Sequence, residues 1–148
     1  MVKIRELKPA DFKNWLNVYQ FYAKHYKVSL TDEGVKTTWN WLMNSLHPLK
    51  GIVANENTDI VGLAHFRAMP SPLRGKNIGF LDDIIVIPSY RGKGIAKLLL
   101  SELKKEGEKE GWGIIRWITK DDNYPAKALY DTISSKTNWN MYEMNCEF

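Results

Sequence analysis

The chain has 148 residues, a net charge of +4 and one cysteine, and its length predicts a single domain over residues 1–148. It has no apolar run near the roughly 20 residues that cross a bilayer, and no signal peptide is expected at its N-terminus. The lone Cys146 excludes an internal disulfide and favours a cytoplasmic location. The small positive charge is a weak indication of an anionic partner, either a nucleic acid or a phosphorylated small molecule.

The first half of the chain predicts two helices between a short strand and a hairpin. Val2–Leu7 alternates as a strand does, and Pro9 then opens a helix. Ser29–Gly34 supplies capping residues for a second helix. Gly51–Met69 reads as two strands around the turn at Asn55–Asp59, which is typical of an antiparallel hairpin.

The second half predicts a strand–helix–strand crossover followed by a helix and a closing strand. Ile78–Pro88 becomes almost entirely apolar, as central strands do, and a helix follows over Gly94–Glu110. Ile114–Thr119 is the next strand, parallel to the first because a helix connects them. Asn123–Ser134 is a short helix and Asn138–Phe148 a final strand. The predicted class is an α/β (α+β) fold with a mixed, mostly antiparallel sheet and flanking helices.

The turn that enters the third helix has the composition of an anion site. Gly92 and Gly94 alternate with Arg91 and Lys93 just before a leucine-rich helix. The first amides of a helix have no partner within it and carry the positive end of its dipole. Glycines let an anion approach them, so the turn could cradle a diphosphate. The alternative is a tight turn with solvated cations.

Two common nucleotide motifs fail here. The P-loop pattern G-x-x-x-x-G-K-[ST] has no match in the chain. The dinucleotide fingerprint G-x-G-x-x-G would start at Gly92, but Lys97 stands where its third glycine belongs.

A third motif fits. Arg91, Gly94 and Ala96 satisfy R/Q-x-x-G-x-G/A, which resembles the acyl-coenzyme A signature of the GNAT family of N-acetyltransferases. Asn123, with Tyr130 after it, matches the family's next helix, Asn-x-x-Ala-x-x-x-Tyr. The run of motifs is most similar to the subgroup of Hpa-type histone and polyamine acetyltransferases. The chain departs from the family after that helix, where a longer polar link replaces the usual Tyr-x-x-x-Gly-Phe turn.

The resemblance implies an N-acetyltransferase with acetyl-CoA as co-substrate, a sheet with a central, splayed pair of parallel strands, and a homodimer formed through the C-terminal strand. The cradle would hold the diphosphate, the main chain of the preceding strand would pair with the pantetheine arm, and the next helix would reach the thioester end. The implied cofactor-binding residues are Ile84, Ile85, Val86, Arg91, Gly92, Lys93, Gly94, Ile95, Ala96, Asn123, Ala126 and Tyr130. Asn123 could instead only cap its helix.

The resemblance also implies catalytic roles for Tyr130 and Asp83. The family often uses this tyrosine to protonate the departing thiolate, and a phenol of pKa about 10 can donate to a thiolate whose conjugate acid has a pKa of about 8.5. The attacking amine must lose a proton, to a carboxylate or to a water relay. Successive strand residues face opposite sides, so only one of Asp82 and Asp83 should face the site, and Asp83 is preferred. The alternative role of Tyr130 is packing in the core. The alternative for the two aspartates is that they are surface residues or only attract cationic acceptors.

The acceptor is expected to be a primary amine of a small molecule or peptide, such as a polyamine, an aminoglycoside or a lysine-like amine. Aromatic side chains suit cations, although helical spacing makes most of them core residues first. The three histidines are isolated in sequence, so no metal is expected, and neither a membrane nor a nucleic-acid partner is expected. A non-catalytic acyl-CoA sensor on the same fold is the alternative function. The aromatic residues that could line the acceptor site are Tyr19, Tyr22, Tyr26, Trp39 and Trp41.

Overall fold

The computed structural model describes residues 1–147. The chain divides into two compact units, Met1–Ile118 and Thr119–Phe148. The first contains the whole sheet and three α-helices, and the second contains one α-helix.

The sheet of the first unit has five strands in the order β1-β2-β3-β4-β5. The first four are antiparallel neighbours, which confirms the predicted hairpin, and β4 and β5 are parallel, which confirms the predicted crossover. The parallel pair lies at one edge of the described sheet rather than at its centre. The strands are β1 Lys3–Glu6, β2 Leu49–Glu56, β3 Asp59–Ser71, β4 Lys76–Val86 and β5 Ile115–Arg116.

The helices of the first unit are α1 Phe12–His25, α2 Asp32–Met43 and α3 Ile95–Glu110. Pro9 opens a 3-10 turn that leads into α1. The Thr31 side chain caps α2, accepting the amide of Gly34 at 3.0 Å. These assignments confirm the helices predicted from the sequence.

One hydrophobic core lies between the sheet and the first two helices, on what we call the α1–α2 face. Trp15 is fully buried in this core, which also contains Leu63 of β3 and Ile85 of β4. Apolar residues recur at helical spacing in α1 and α2, and successive strand residues point to opposite faces of the sheet. The apolar sides of both helices therefore pack together with the apolar side chains on one face of the sheet. The buried members are Trp15, Val18, Val35, Leu42, Leu49, Val53, Ile60, Leu63 and Ile85.

Helix α3 packs closely against the opposite face, where glycines leave room for it. A Cβ at Gly62 would lie 3.0 Å from the Ile85 carbonyl and 3.4 Å from the side chain of Ile95. A Cβ at Gly79 would lie 2.5 Å from the ring of Trp112, just past the end of α3. A side chain at either glycine would therefore push α3 or Trp112 away from the sheet.

The second unit is less regular than the sequence predicts. Helix α4, Tyr124–Ile133, is present. The predicted final strand is wrong over residues 138–147, which form no helix or strand, and Phe148 lies outside the described residues. A strand needs a hydrogen-bonded neighbour, and the described part of this unit contains no other strand. The strand predicted at Ile114–Thr119 is likewise confined to Ile115–Arg116.

An ion pair joins β1 to the turn before α1. Both Nη atoms of Arg5 bind the carboxylate of the buried Asp11, at 2.7 and 2.9 Å, and the Lys8 amide donates to it at 2.8 Å. The hydrogen bond from Arg5 outweighs burial and holds the pKa of Asp11 below its ordinary value. The ion pair therefore stabilises the fold at pH values at which the Asp11 carboxyl is ionised.

We expect Asp11→Asn to lower the free energy of unfolding at pH 7 by about 1–3 kcal/mol, because charge-assisted bonds to a buried group are lost. A carboxyl whose pKa is lowered in the folded state stabilises the folded protein fully at pH values above its unfolded-state pKa of about 4. This stabilisation disappears as the pH falls through the folded-state pKa. Urea unfolding at pH 7 and pH 3 should show the difference between wild type and variant shrinking at pH 3. Asp131→Asn, at an exposed position, is the control. An equal loss at both pH values would contradict this account.

Candidate functional site

The turn between β4 and α3 contains two glycines whose positions are open to solvent. A 3-10 turn, Pro88–Tyr90, follows β4. Gly92 and Gly94 both have left-handed backbones, with φ of +77° and +79°. A Cβ added at either position would meet nothing within 4 Å. The glycines therefore allow this backbone and keep the space in front of the turn clear.

Helix α3 begins at this turn with donors that have no acceptor within the helix. The capping residue is Gly94, which has no side-chain acceptor for the first amides of the helix. The first helical bond runs from the Leu98 amide to the Gly94 carbonyl at 3.1 Å. The amides of the three residues between them come before it, at the positive end of the dipole. An open, donor-rich and cap-free helix start fits a diphosphate such as that of coenzyme A.

Two cations flank the turn. The Arg91 guanidinium donates through Nε to the carbonyl of Val86 at 3.2 Å, which folds the side chain back toward the end of β4. The Lys93 ammonium lies 4.7 Å from the ring centroid of Tyr90. The side chain of Ile95 is buried, so only its backbone amide could bind a ligand. The structure thus brings the predicted residues from Arg91 to Ala96 together in one cradle.

Strand β4 extends well beyond its parallel neighbour. The parallel pairing ends at Phe80 and Arg116, whereas β4 continues to Val86. Over Ile84–Val86 the strand pairs with β3 on its other side. The backbone predicted to hold the pantetheine arm therefore belongs to the part of β4 that leads directly to the cradle.

A bulge in β4 contains the acidic pair. Asp83 pairs with His65 of β3, but the next pair is Leu81 with Phe66, so Asp82 is an extra residue in the ladder. Asp83 contacts His65, and Asp82 contacts Arg67 at 3.0 Å.

Alternation predicted that only one of these aspartates would face the site, and the structure differs. His65 and Arg67 are two apart on a regular stretch of β3 and so share a face of the sheet. Their partners, Asp83 and Asp82, are therefore on that face together. The bulge is the physical reason, since an extra residue interrupts the alternation.

Asp83 is held by several donors. His65 Nδ1 lies 2.8 Å from its Oδ2, and the Tyr19 hydroxyl donates to the same atom at 3.1 Å. The Tyr22 hydroxyl also interacts with this carboxylate. Burial disfavours the charged form, but the hydrogen bonds prevail and the pKa of Asp83 lies below its ordinary value. Burial, and then the charge of Asp83, raise the pKa of Tyr19, so this phenol stays protonated and donates.

Asp82 has a different environment. Burial raises its pKa above the ordinary value, and the negative charge of Asp83 adds to this. The hydrogen bond from Arg67 opposes the rise only in part. The Arg67 guanidinium also lies over the ring of Phe80, 4.9 Å from its centroid. The two neighbouring carboxyls thus differ in how readily they accept a proton.

The aromatic residues divide between core and surface. Tyr19 and Tyr22 stack at 5.7 Å beside Asp83, and Tyr26 follows at 4.8 Å from Tyr22. Trp39 packs against the core 4.9 Å from Trp15. Trp41 is 44% exposed, so it does not belong to this cluster.

His65 and Trp15 were not expected to belong to the site. His65 looked isolated in the sequence, yet it is fully buried and bonded to both Trp15 and Asp83. One signal could have revealed it, because His65 is the only ionisable residue in the apolar run between Ile60 and Phe66.

In the second unit, Asn123 caps α4. Its Oδ1 accepts the amide of Ala126 at 3.4 Å. This is the alternative role considered for Asn123, and it leaves the side-chain NH₂ available to a ligand. Ala126 and Tyr130 are four apart and so lie on one side of the helix.

The described residues, 1–147, contain no group of three or more histidine, cysteine or acidic side chains that could hold a metal ion. None of the helices within them is long and apolar enough to span a membrane.

Comparison with known proteins agrees with this geometry. The acetyltransferase (GNAT) family profile matches residues 15–133. The D-amino-acid N-acetyltransferase HPA3 of Saccharomyces cerevisiae is 23% identical over 97% of this chain and 91% of its own length. The thialysine N-epsilon-acetyltransferase of Sus scrofa is 27% identical over 91% of this chain and 84% of its own.

The fold is also that of solved acetyltransferases. An aminoglycoside N-acetyltransferase, solved in complex with CoA, superposes with a TM-score of 0.82 at 16% identity, covering 99% of this chain and 95% of the other. With the cradle and the family match, this confirms the resemblance seen in the sequence. The chain belongs to the acetyltransferase (GNAT) family and is an N-acetyltransferase whose co-substrate is acetyl-CoA.

Proposed function

We propose that the enzyme acetylates a primary amine of a small molecule or peptide, and that this acceptor is cationic: a polyamine, an aminoglycoside or a lysine-like amine. The observation that carries the proposal is the pair of carboxylates, Asp82 and Asp83, on one face of the strand that leads to the cradle. Two carboxylates beside tyrosine rings attract ammonium groups. The relatives support an amine acceptor, since their names specify D-amino acids, thialysine and aminoglycosides.

Acetyl-CoA, when bound, supplies the activated acetyl group. The amides from Gly92 to Ala96, with Arg91 and Lys93, bind its diphosphate, because they form an open cradle of donors and cations. The main chain of Ile84–Val86 orients the pantetheine arm. Asn123 and Ala126 of α4 also contribute to binding acetyl-CoA, Asn123 through the side-chain NH₂ that its helix cap leaves available.

Asp83 is the proposed base. A free alkyl ammonium has a pKa of about 10.4, so less than roughly 0.1% is neutral at pH 7. Asp83 binds the ammonium and accepts a proton from it, directly or through water, and the neutral amine then attacks the thioester carbonyl, forming the C–N bond as the C–S bond breaks. The hydrogen bonds that hold the pKa of Asp83 below its ordinary value keep the carboxylate ionised and able to bind the ammonium. Asp82, whose pKa is raised, contributes a second interaction with a cationic acceptor.

Tyr130 is the proposed acid that protonates the departing thiolate. We expect Tyr130→Phe to lower kcat by about 100-fold, since a positioned proton donor contributes about 10²–10⁴, while the Kd for acetyl-CoA stays nearly constant. Release of free thiol and calorimetry measure the two quantities. Tyr124→Phe, at an exposed ring on the same helix, is the matched control. Unchanged acetyl transfer by Tyr130→Phe would remove this assignment.

An amine panel tests the function itself. Purified enzyme and acetyl-CoA are mixed with diamines, polyamines, an aminoglycoside, lysine, D-amino acids and thialysine, and free CoA thiol is followed. We expect turnover with acceptors that carry a second cationic group and much slower turnover with monoamines that carry no second charged group. A protein that binds acetyl-CoA yet releases thiol with none of these amines would instead be the non-catalytic sensor.

We propose further that the enzyme is a cytoplasmic homodimer. The C-terminal segment exposes Trp139, Tyr142 and Met144 at 79%, 89% and 87%, and a second copy would cover these apolar surfaces. Light scattering after gel filtration measures the oligomeric state. The exposed free thiol of Cys146 fits a reducing compartment.

A further inference from the structure

A chain of hydrogen bonds runs from the protein core to Asp83. Trp15 Nε1 donates to His65 Nε2 over 2.9 Å, and His65 Nδ1 lies 2.8 Å from Asp83 Oδ2. Trp15 and His65 are both 0% exposed, whereas the Asp83 side chain remains 18% exposed. We propose that Trp15 and His65 are positioning residues that hold Asp83 as an oriented carboxylate facing the acceptor amine. This inference rests on the proposed function of Asp83.

The direction of the chain follows from the chemistry of its first member. An indole N–H can only donate, so His65 Nε2 must accept from Trp15. A ring nitrogen that accepts carries no proton, and the proton of the neutral imidazole is therefore on Nδ1, from which it is donated to Asp83. Trp15 thus selects the tautomer, and His65 presents a fixed donor to the carboxylate.

The location of His65 argues against a packing role alone. Its neighbours on β3, Leu63, Ala64 and Phe66, are buried and apolar. An apolar residue would fill the same place without desolvating an imidazole, which is costly unless every polar atom is bonded. Both ring nitrogens of His65 are bonded, and the bond on the site side goes to Asp83.

Other polar groups around Asp83 act on it too. Tyr19 donates to the carboxylate and Tyr22 interacts with it, Asp82 on β4 is a neighbouring like charge, and Arg67 on β3 is a cation paired with Asp82. His65 differs from the tyrosines because Trp15, in the core, fixes it. A rigid supporting contact of this kind typically changes activity by about 10–100-fold when removed.

The first experiment removes the donor. In His65→Leu, Asp83 loses a bond that favours its ionised form, so its carboxyl should titrate at a higher pH than in wild type. Carbon-13 NMR of the Asp83 carboxyl measures this without any substrate. We expect kcat/KM for the best amine to fall about 10–100-fold, mainly through kcat, with the acid limb of its pH profile moved upward. His65→Asn, which keeps a donor, should recover part of both effects.

The second experiment tests the tautomer. Trp15→Phe keeps an aromatic ring but removes the N–H, so Nε2 of His65 loses its donor. Nitrogen-15 NMR of the imidazole should show a single Nδ1–H tautomer in wild type and a mixture or a second proton in the variant. Trp112→Phe, at another buried tryptophan, is the control for the loss of ring volume and should leave the imidazole signals unchanged.

The outcomes separate this inference from the function on which it rests. An Asp83 carboxyl that titrates at the same pH in wild type, His65→Leu and His65→Asn overturns it, and so does an imidazole whose tautomer is unaffected by Trp15→Phe. Should His65→Leu fail to fold, His65→Asn and Trp15→Phe still decide the question. If the wild-type protein acetylates no amine, the proposed function fails, while the two NMR measurements still report whether the carboxylate is held as described.

Discussion

Gly94→Asp should weaken acetyl-CoA binding by at least about 100-fold while the protein remains folded. The Gly94 backbone is left-handed, a conformation that aspartate adopts at a cost of about 1–2 kcal/mol. Its Cβ would point into open space in front of the turn, and its carboxylate would lie where the diphosphate is expected. Loss of two charge-assisted bonds, each worth about 1.5–3 kcal/mol, accounts for the expected size of the effect. Calorimetric titration with acetyl-CoA measures it.

Gly75→Asp is the matched control for this change. Gly75 also has a left-handed backbone, with φ of +63°, and also has nothing within 4 Å of an added Cβ, but it lies in the turn between β3 and β4. The two variants therefore share the backbone strain and the added charge. Equal binding by both variants, or no change in either, would show that the turn before α3 does not hold the diphosphate.

Asp83→Asn should lower kcat/KM by about 10²–10³-fold, the usual contribution of a positioned base. The change conserves shape, and the amide oxygen can still accept from His65 and Tyr19, so the structure should be retained. We expect acetyl-CoA binding to persist, because the cradle is formed by other residues. Steady-state thiol release with the best amine of the panel, together with calorimetry, measures the two effects.

Asp82→Asn separates catalysis from simple attraction of cations. Asp82 is a neighbouring carboxyl on the same face, but it binds Arg67 rather than the His65 chain. Its loss should raise KM for acceptors with a second cationic group and change kcat less. A larger loss of kcat in Asp82→Asn than in Asp83→Asn would exchange the roles of the two residues.

Features that depend on local sequence were predictable. The helices followed from apolar spacing and capping residues, and Thr31 and Asn123 do cap α2 and α4. The glycine turn before α3 was predictable too, because its glycines and cations are contiguous in the sequence and its conformation is set within the turn itself.

Features that depend on pairing between distant segments were not predictable. The bond between His65 and Asp83 joins residues 18 apart in sequence, and it depends on a register that changes at Asp82. No local pattern in β4 marks the extra residue. The prediction of a C-terminal strand was wrong for a related reason, since alternating residues form a strand only beside another strand to which they can hydrogen-bond.

The extra residue in β4 has a consequence for how acceptor preference could be altered. Asp82 is the extra residue of the ladder, and the register pairs no residue of β3 with it. Its side chain can therefore be exchanged while Asp83 keeps its pairing with His65. On the role proposed for Asp82, exchanging this residue should change which amines the enzyme accepts while the turn before α3 stays as it is.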